Sequence, residues 1–164
     1  MNQMLTRLFR SLSSFIFVVA TGMISCGEDS AGPEQKESQD PFFAANFIQT
    51  FTKVRDCRFS SAHDGHNVEV YINSEADLAY INGTYPFALG ITIVKILYNV
   101  PDCDDIASYV SMRKGSIGTA SQSGDWEWQE VSVDRIVEKV GQLPSCISCH
   151  SSCANDRDFT CADP

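Results

Sequence analysis

The stretch Ile91 to Val100, ITIVKILYNV, is apolar at odd and even positions alike and rich in β-branched side chains. A surface helix would show a polar stripe and a half-exposed strand would alternate. This run does neither, so it predicts a strand covered on both faces. Its one charged residue is Lys95. A lysine with apolar neighbours on both sides is unfavourable unless it is neutral, paired or reaching solvent. The ordinary alternative is an edge-strand lysine that blocks aggregation.

The surrounding pattern fills in a domain around that strand. Asp40-Pro41 reads as an N-cap followed by a first-turn proline, and Phe43, Phe47, Phe51 and Val54 recur on one helical face. This spacing predicts a helix over about 41–55 with an aromatic core stripe. Val68, Val70 and Ile72 alternate with Glu69 and Tyr71, which predicts a strand with one wet face. Glu75 to Tyr80 suits a short helix stopped by Asn82-Gly83. Tyr109 to Met112 and Trp126 to Val133 read as strands separated by a loop rich in Gly and Ser, and Val137 to Gln142 reads as helical. No internal repeat is present. The expected fold class is α+β, a mainly antiparallel β-sheet with flanking helices.

Arg7 and Arg10 precede an apolar stretch, Leu12 to Ile24, too short for a membrane span and of the length of a signal-peptide core. It ends in Met23-Ile24-Ser25-Cys26-Gly27, the pattern of a lipobox in which Cys26 becomes the lipidated first residue. A soluble secreted product is the alternative. Gly27 rather than Asp after the cysteine carries no inner-membrane retention signal. The expected location is therefore the cell envelope, on the periplasmic face of the outer membrane, held by a lipid anchor alone. The division is a signal peptide over 1–25, a polar tether over 26–40 and one domain over 41–164. Twelve Lys and Arg stand against 21 Asp and Glu, a net charge of −9, and two of the basic residues lie in the leader. Such acidity argues against nucleic acid as a partner.

Cysteine usage narrows the chemistry. Cys146-Ile147-Ser148-Cys149-His150 has the CxxCH spacing of c-type haem attachment, near the C-terminus and introduced by Leu143-Pro144. Two thiols one turn apart can form thioethers with the porphyrin vinyl groups, and His150 then follows as proximal iron ligand. A redox CxxC, a zinc site drawing on Cys153 and Cys161, and structural disulfides are the competing readings. With Cys26, Cys146 and Cys149 assigned, Cys57, Cys103, Cys153 and Cys161 remain. Four cysteines allow three connectivities. We favour Cys57 with Cys103 and Cys153 with Cys161, the latter because the loop is short. For a sixth iron ligand the mature chain offers Met112, which reads as core, and His63 and His66, which read as an exposed turn. That scarcity points to an open sixth position, suited to binding small ligands.

Several landmarks in order carry a family resemblance: Tyr71-Ile72-Asn73, Tyr85-Pro86 leading to Gly90-Ile91-Thr92-Ile93-Val94-Lys95, Gly124-Asp125-Trp126-Glu127-Trp128, Leu143-Pro144 with CISCH, then Asp156 and Phe159-Thr160. From about Asp40 to Thr160 the chain resembles cytochrome P460. The resemblance implies a mainly antiparallel fold, one covalently attached haem c with five-coordinate iron and, in the true P460 members, a lysine joined to the porphyrin, a place that Lys95 occupies here. It implies a small nitrogen compound as ligand or substrate, with hydroxylamine oxidised in the enzymatic branch. Members without the lysine bind nitric oxide. Active members carry a distal-pocket carboxylate before the Trp segment, whereas Ile106 to Gly124 contains no Asp or Glu. Asp125 and Glu127 match that place poorly and receive no role. The expectation is thus a P460-type hydroxylamine oxidoreductase with an unidentified electron acceptor. The alternatives are a nitric-oxide-binding or electron-transfer cytochrome, and a disulfide- or zinc-stabilised surface lipoprotein. A homodimer is one expected assembly.

Overall fold

A computed structural model describes residues 39–99 and 101–162. The expected signal segment, Cys26 and the expected tether as far as Ser38 lie outside the described residues. Six strands, β1 (Phe51–Phe59), β2 (Asn67–Asn73), β3 (Thr92–Tyr98), β4 (Ile106–Lys114), β5 (Trp126–Ser132) and β6 (Val137–Gly141), form one sheet. Each is antiparallel to its sequence neighbours, and their order in space is their order in the chain. The helices are short: α1 (Phe47–Thr50), α2 (Asp77–Ile81), α3 (Pro144–His150) and α4 (Ala154–Arg157). The architecture is α+β.

Central strand β3 is buried along its whole length, as its composition requires. One face of the sheet carries Val70, Ile72, Ile93, Met112, Trp126 and Trp128, covered by α2, the 85–91 segment and the α3–α4 region. The opposite face carries Tyr71, Val94, Ile96, Tyr98, Tyr109 and Val131 under Phe43 and Phe47. Fully burying one such side chain contributes about 1.5–3 kcal/mol. Two layers of them account for a sheet without an apolar wet face.

Three expectations need correction. The helix over 41–55 is a single turn, after which Phe51 begins a strand. The carbonyls that a longer helix would have used are taken elsewhere: Asp40 O accepts from Gln129 Nε2 at 3.0 Å and Phe43 O from Arg135 Nη2 at 2.7 Å. Edge strand β1 is in turn tied to the β3–β4 turn by a Cys57–Cys103 disulfide. The aromatic spacing nevertheless marked core, because Phe43 and Phe47 pack edge-to-face at 4.8 Å and bear on Tyr71 and Tyr109. Those rings also bury Tyr71, so the expected wet face of β2 is covered. Finally, Val137 to Gln142 is not helical but forms β6, paired to β5 with Glu130 opposite Lys139. A turn with Arg135 at φ 65° leads into it.

Candidate functional site

The register assembles the site. Arg55, Val70, Lys95, Val110, Glu130 and Lys139 are successive cross-strand partners from β1 to β6, so they form one row on the face that α3 covers. Above this row lies a cavity of about 730 Å³ lined also by Ile93, Met112, Trp128, Cys146, Cys149 and His150. That volume lies in the range of about 300–1,000 Å³ typical of cofactor and ligand sites.

Helix α3 presents the cysteine motif. Pro144 occupies its first turn, where a missing N–H costs nothing. Cys146 and Cys149 are three residues apart and therefore neighbours on the helix surface, and both are free thiols. The remaining described cysteines are bonded, Cys57 to Cys103 and Cys153 to Cys161, with Cα separations of 6.2 Å and 5.3 Å. Cys153 is thereby removed as a zinc thiolate. Among the described residues no group of three or more His, Cys, Asp or Glu side chains is placed to hold a metal ion.

His150 is 8% exposed and packs on the Trp128 ring at 6.2 Å. Its Nδ1 lies 2.5 Å from the Phe159 carbonyl. A carbonyl can only accept, so Nδ1 carries the proton and Nε2 keeps its lone pair. Burial, then the charge of Lys95, lowers its pKa to about 4, which keeps the ring neutral and able to ligate a metal. The carbonyl that fixes this tautomer is itself clamped. Asp158 accepts from Lys114 Nζ at 2.6 and 2.7 Å and from the Phe87 amide at 2.8 Å, and its own carbonyl accepts from Trp126 Nε1 at 2.8 Å. Asp158 and Phe159 both adopt positive φ, 47° and 66°. A side chain at Gly124 would meet the Phe159 ring at 2.7 Å, so glycine there is a packing requirement. The arrangement orients the imidazole as outer-shell partners orient a metal-bound histidine.

Lys95 is not on an edge. It is 9% exposed, in the middle of the row, with Nζ 2.8 Å from His63 Nε2. Burial, then the nearby Arg55 charge, lowers its pKa to about 8, while burial and Lys95 lower that of His63 to about 3. One proton thus serves the pair at neutral pH: Lys95 donates and His63 accepts. His63 does sit in the expected turn, but it is half-buried rather than exposed. The hairpin loop after β1 folds it over the cavity, and His66 Nδ1, 2.9 Å from Tyr98 O, pins that loop. The HDGH turn between two strands was the available signal, and only the register of β1 on β2 gives it a direction.

The other sequence candidates separate cleanly. Met112 is core and also lines the cavity. Asp125 accepts from the amides of Ala120 and Gly118, which lower its pKa and make it a loop cap. Glu127 pairs with Arg113 on the exposed side. Sequence reasoning missed Glu130, a cavity carboxylate 2.6 Å from Lys139, and Arg55, whose buried Nε has no hydrogen-bond partner. Trp128 Nε1 is likewise buried and unpartnered. Two thiols on one helix face, a neutral imidazole with a free Nε2, and unpartnered donors around a large cavity are a donor set able to hold a metalloporphyrin. Among the described residues no helix is long and apolar enough to cross a membrane. No protein-family model matches the chain, and no curated protein matches it.

Proposed function

We propose that the cavity holds one haem c, tethered by Cys146 and Cys149 and ligated by His150, and that the protein binds and oxidises a small nitrogen compound of the hydroxylamine class. The observation that carries this reading is the His150 Nδ1–Phe159 contact, which frees Nε2 beside two unbonded thiols while the other described cysteines are spent in disulfides. When bound, haem supplies an iron that exchanges electrons and offers a coordination position to a nitrogen ligand. The chain's own residues do the rest. Cys146 and Cys149 hold, His150 donates its lone pair, and the Asp158–Lys114 clamp keeps that imidazole from rotating. Ile93, Met112 and Trp128 exclude water, and Lys95 presents its amine along the middle of the cavity. The disulfides support maturation in an oxidising compartment, in keeping with a lipid-anchored protein of the cell envelope.

A nitric-oxide-binding or electron-transfer protein is the second reading, favoured by one feature: Glu130, one of two sheet carboxylates lining the cavity with Glu138, is engaged by Lys139. The test is production in cells able to attach haem c. One haem mass and a Soret band are expected in the wild type and in neither Cys146→Ser nor Cys149→Ser at full yield. A colourless wild-type protein would overturn the haem reading. With the cofactor in place, hydroxylamine-dependent reduction of an added acceptor by wild type, diminished in Lys95→Ala, supports oxidation. Absence of turnover in both selects the second reading.

A further inference from the structure

The charges of the cavity are distributed unevenly along the row that crosses the sheet. At the β5–β6 end Lys139 is neutralised by Glu130 at 2.6 Å. Lys53, Arg113 and Lys114 likewise each have a carboxylate within 3.3 Å. Arg55 and Lys95, at the β1–β3 end, have none. Lys95 bonds to His63, a neutral acceptor, and Arg55 Nε is buried without any partner. Asp64 lines the same end, but it is exposed and pairs with neither. Two cations, one of them buried and the other partly buried, face one cavity without a counter-charge, and a guest bearing negative charge would supply it.

The direction of the row identifies which part of a guest arrives there. Helix α3 leaves β6 after only two residues, and His150 packs on Trp128 of β5, so the thiol end of the cavity is the β5–β6 end. Arg55 is at the far end, on β1. A porphyrin joined through its vinyl edge carries its two propionate carboxylates on the opposite edge. Lys95 is two strands from Glu130 and Arg55 a further two from Lys95, roughly 10 Å per step at ~4.8 Å per strand. The row is long enough for a flat guest to span.

We propose that Arg55, with Lys95 and His63 beside it, forms the carboxylate-binding end of the cavity and receives the propionates of the tetrapyrrole. This assignment rests on the haem reading above. The guanidinium, a planar fork suited to carboxylates, is the orienting group. Vinyl attachment at one end and carboxylate capture at the other then leave a single orientation in which the guest can enter.

The test uses the full chain carrying Cys146→Ser and Cys149→Ser, so that haem binding is reversible, and compares haem with haem dimethyl ester, in which both carboxylates are masked. The parent should bind haem about tenfold or more tighter than the ester. Arg55→Ala should abolish that preference by weakening haem alone, Arg55→Lys should restore part of it, and Lys139→Ala should leave it unchanged. Equal affinities for haem and ester in the parent, or a preference that survives Arg55→Ala, overturns the Arg55 assignment while leaving the haem reading intact. Binding of neither porphyrin by the parent overturns the propionate assignment, and the haem reading is then decided by whether the wild-type protein carries haem. The parent comparison requires no substitution at Arg55, so it decides the matter even if Arg55→Ala fails to fold. Small oxyanions are the other source of the same chemistry. If acetate or phosphate competes with the ester as well as with haem, the cationic end serves free anions and the propionate assignment fails.

Discussion

The two faces of the sheet are built from the same strands but by opposite rules. On the Tyr71–Tyr109 face, aromatic rings from residues 43 and 47 close over apolar neighbours in edge-to-face contacts of 4.8–6.1 Å. The face bearing Lys95 instead holds charged side chains in register and a cavity of about 730 Å³, with the buried Arg55 Nε and Trp128 Nε1 unpartnered, where the other face has, among the described residues, only Ser111 Oγ without a partner. A chain selected for stability alone would fill such a space. The Lys95 face also carries a core, from Val70 and Ile72 to Trp126 and Phe159, but it leaves the space around Lys95 open to a guest, whereas the opposite face is filled.

Substitutions can break this contrast. Phe47→Ala, on the closed face, should destabilise the protein by about 3–5 kcal/mol in denaturant titration, because the rings around it cannot collapse into the space. Asp158→Ala should cost a similar ~3–5 kcal/mol by leaving the Lys114 ammonium buried and unpaired, and a holoprotein carrying it should show an altered His150–metal vibrational signature. If Asp158→Ala costs under about 1 kcal/mol, the clamp is not the support it is described to be.

Lys95→Met should act with the opposite sign. The folded chain holds the Lys95 pKa at about 8, below its usual 10.5, so the ammonium form is penalised in the folded state. That penalty is complete below about pH 8 and disappears as pH rises to 10.5, where the unfolded lysine is also neutral. In the cofactor-free protein Lys95→Met should therefore stabilise by about 1–3 kcal/mol at pH 7 and by little at pH 10.5. Urea midpoints at the two pH values check this, and a destabilisation at pH 7 would contradict it. Val110→Ala, facing the cavity beside Lys95, should have the smallest effect, about 1 kcal/mol or less, since part of its surface touches no protein atoms. A loss as large as that of Phe47→Ala would mean that the two faces do not differ.

The legible parts of the fold were those set by local period. β3 declared itself by apolar residues at both parities and β2 by alternation, and residues 109–112 and 126–133 were read as strands where β4 and β5 lie. The misread ends, β1 and β6, are edge strands whose state depends on remote partners. Gln129 and Arg135 claim the carbonyls of Asp40 and Phe43, roughly 90 residues away in the chain, and no window of sequence contains that competition. The same holds for the site. CISCH and the anomalous Lys95 stood out, and the pattern of residues 153 and 161 suggested a pair that the structure contains. His63 looked like surface because only the hairpin's register turns it inward. Arg55 looked like an ordinary basic residue because its distinction is the absence of a partner.

The clamp on His150 has a consequence for biosynthesis. The Phe159 carbonyl that fixes the imidazole and the Asp158 that supports it are translated after the histidine, although Trp128 and Lys114, which complete the clamp, precede it. A nascent chain that has exposed CISCH has not yet acquired what orients its last residue. During this interval Cys149 and Cys153 are four residues apart with nothing to prevent their joining. If the thiols of residues 146 and 149 are to stay available for a cofactor, the 153–161 link has to close, or those thiols be occupied, before Cys149 and Cys153 are oxidised together.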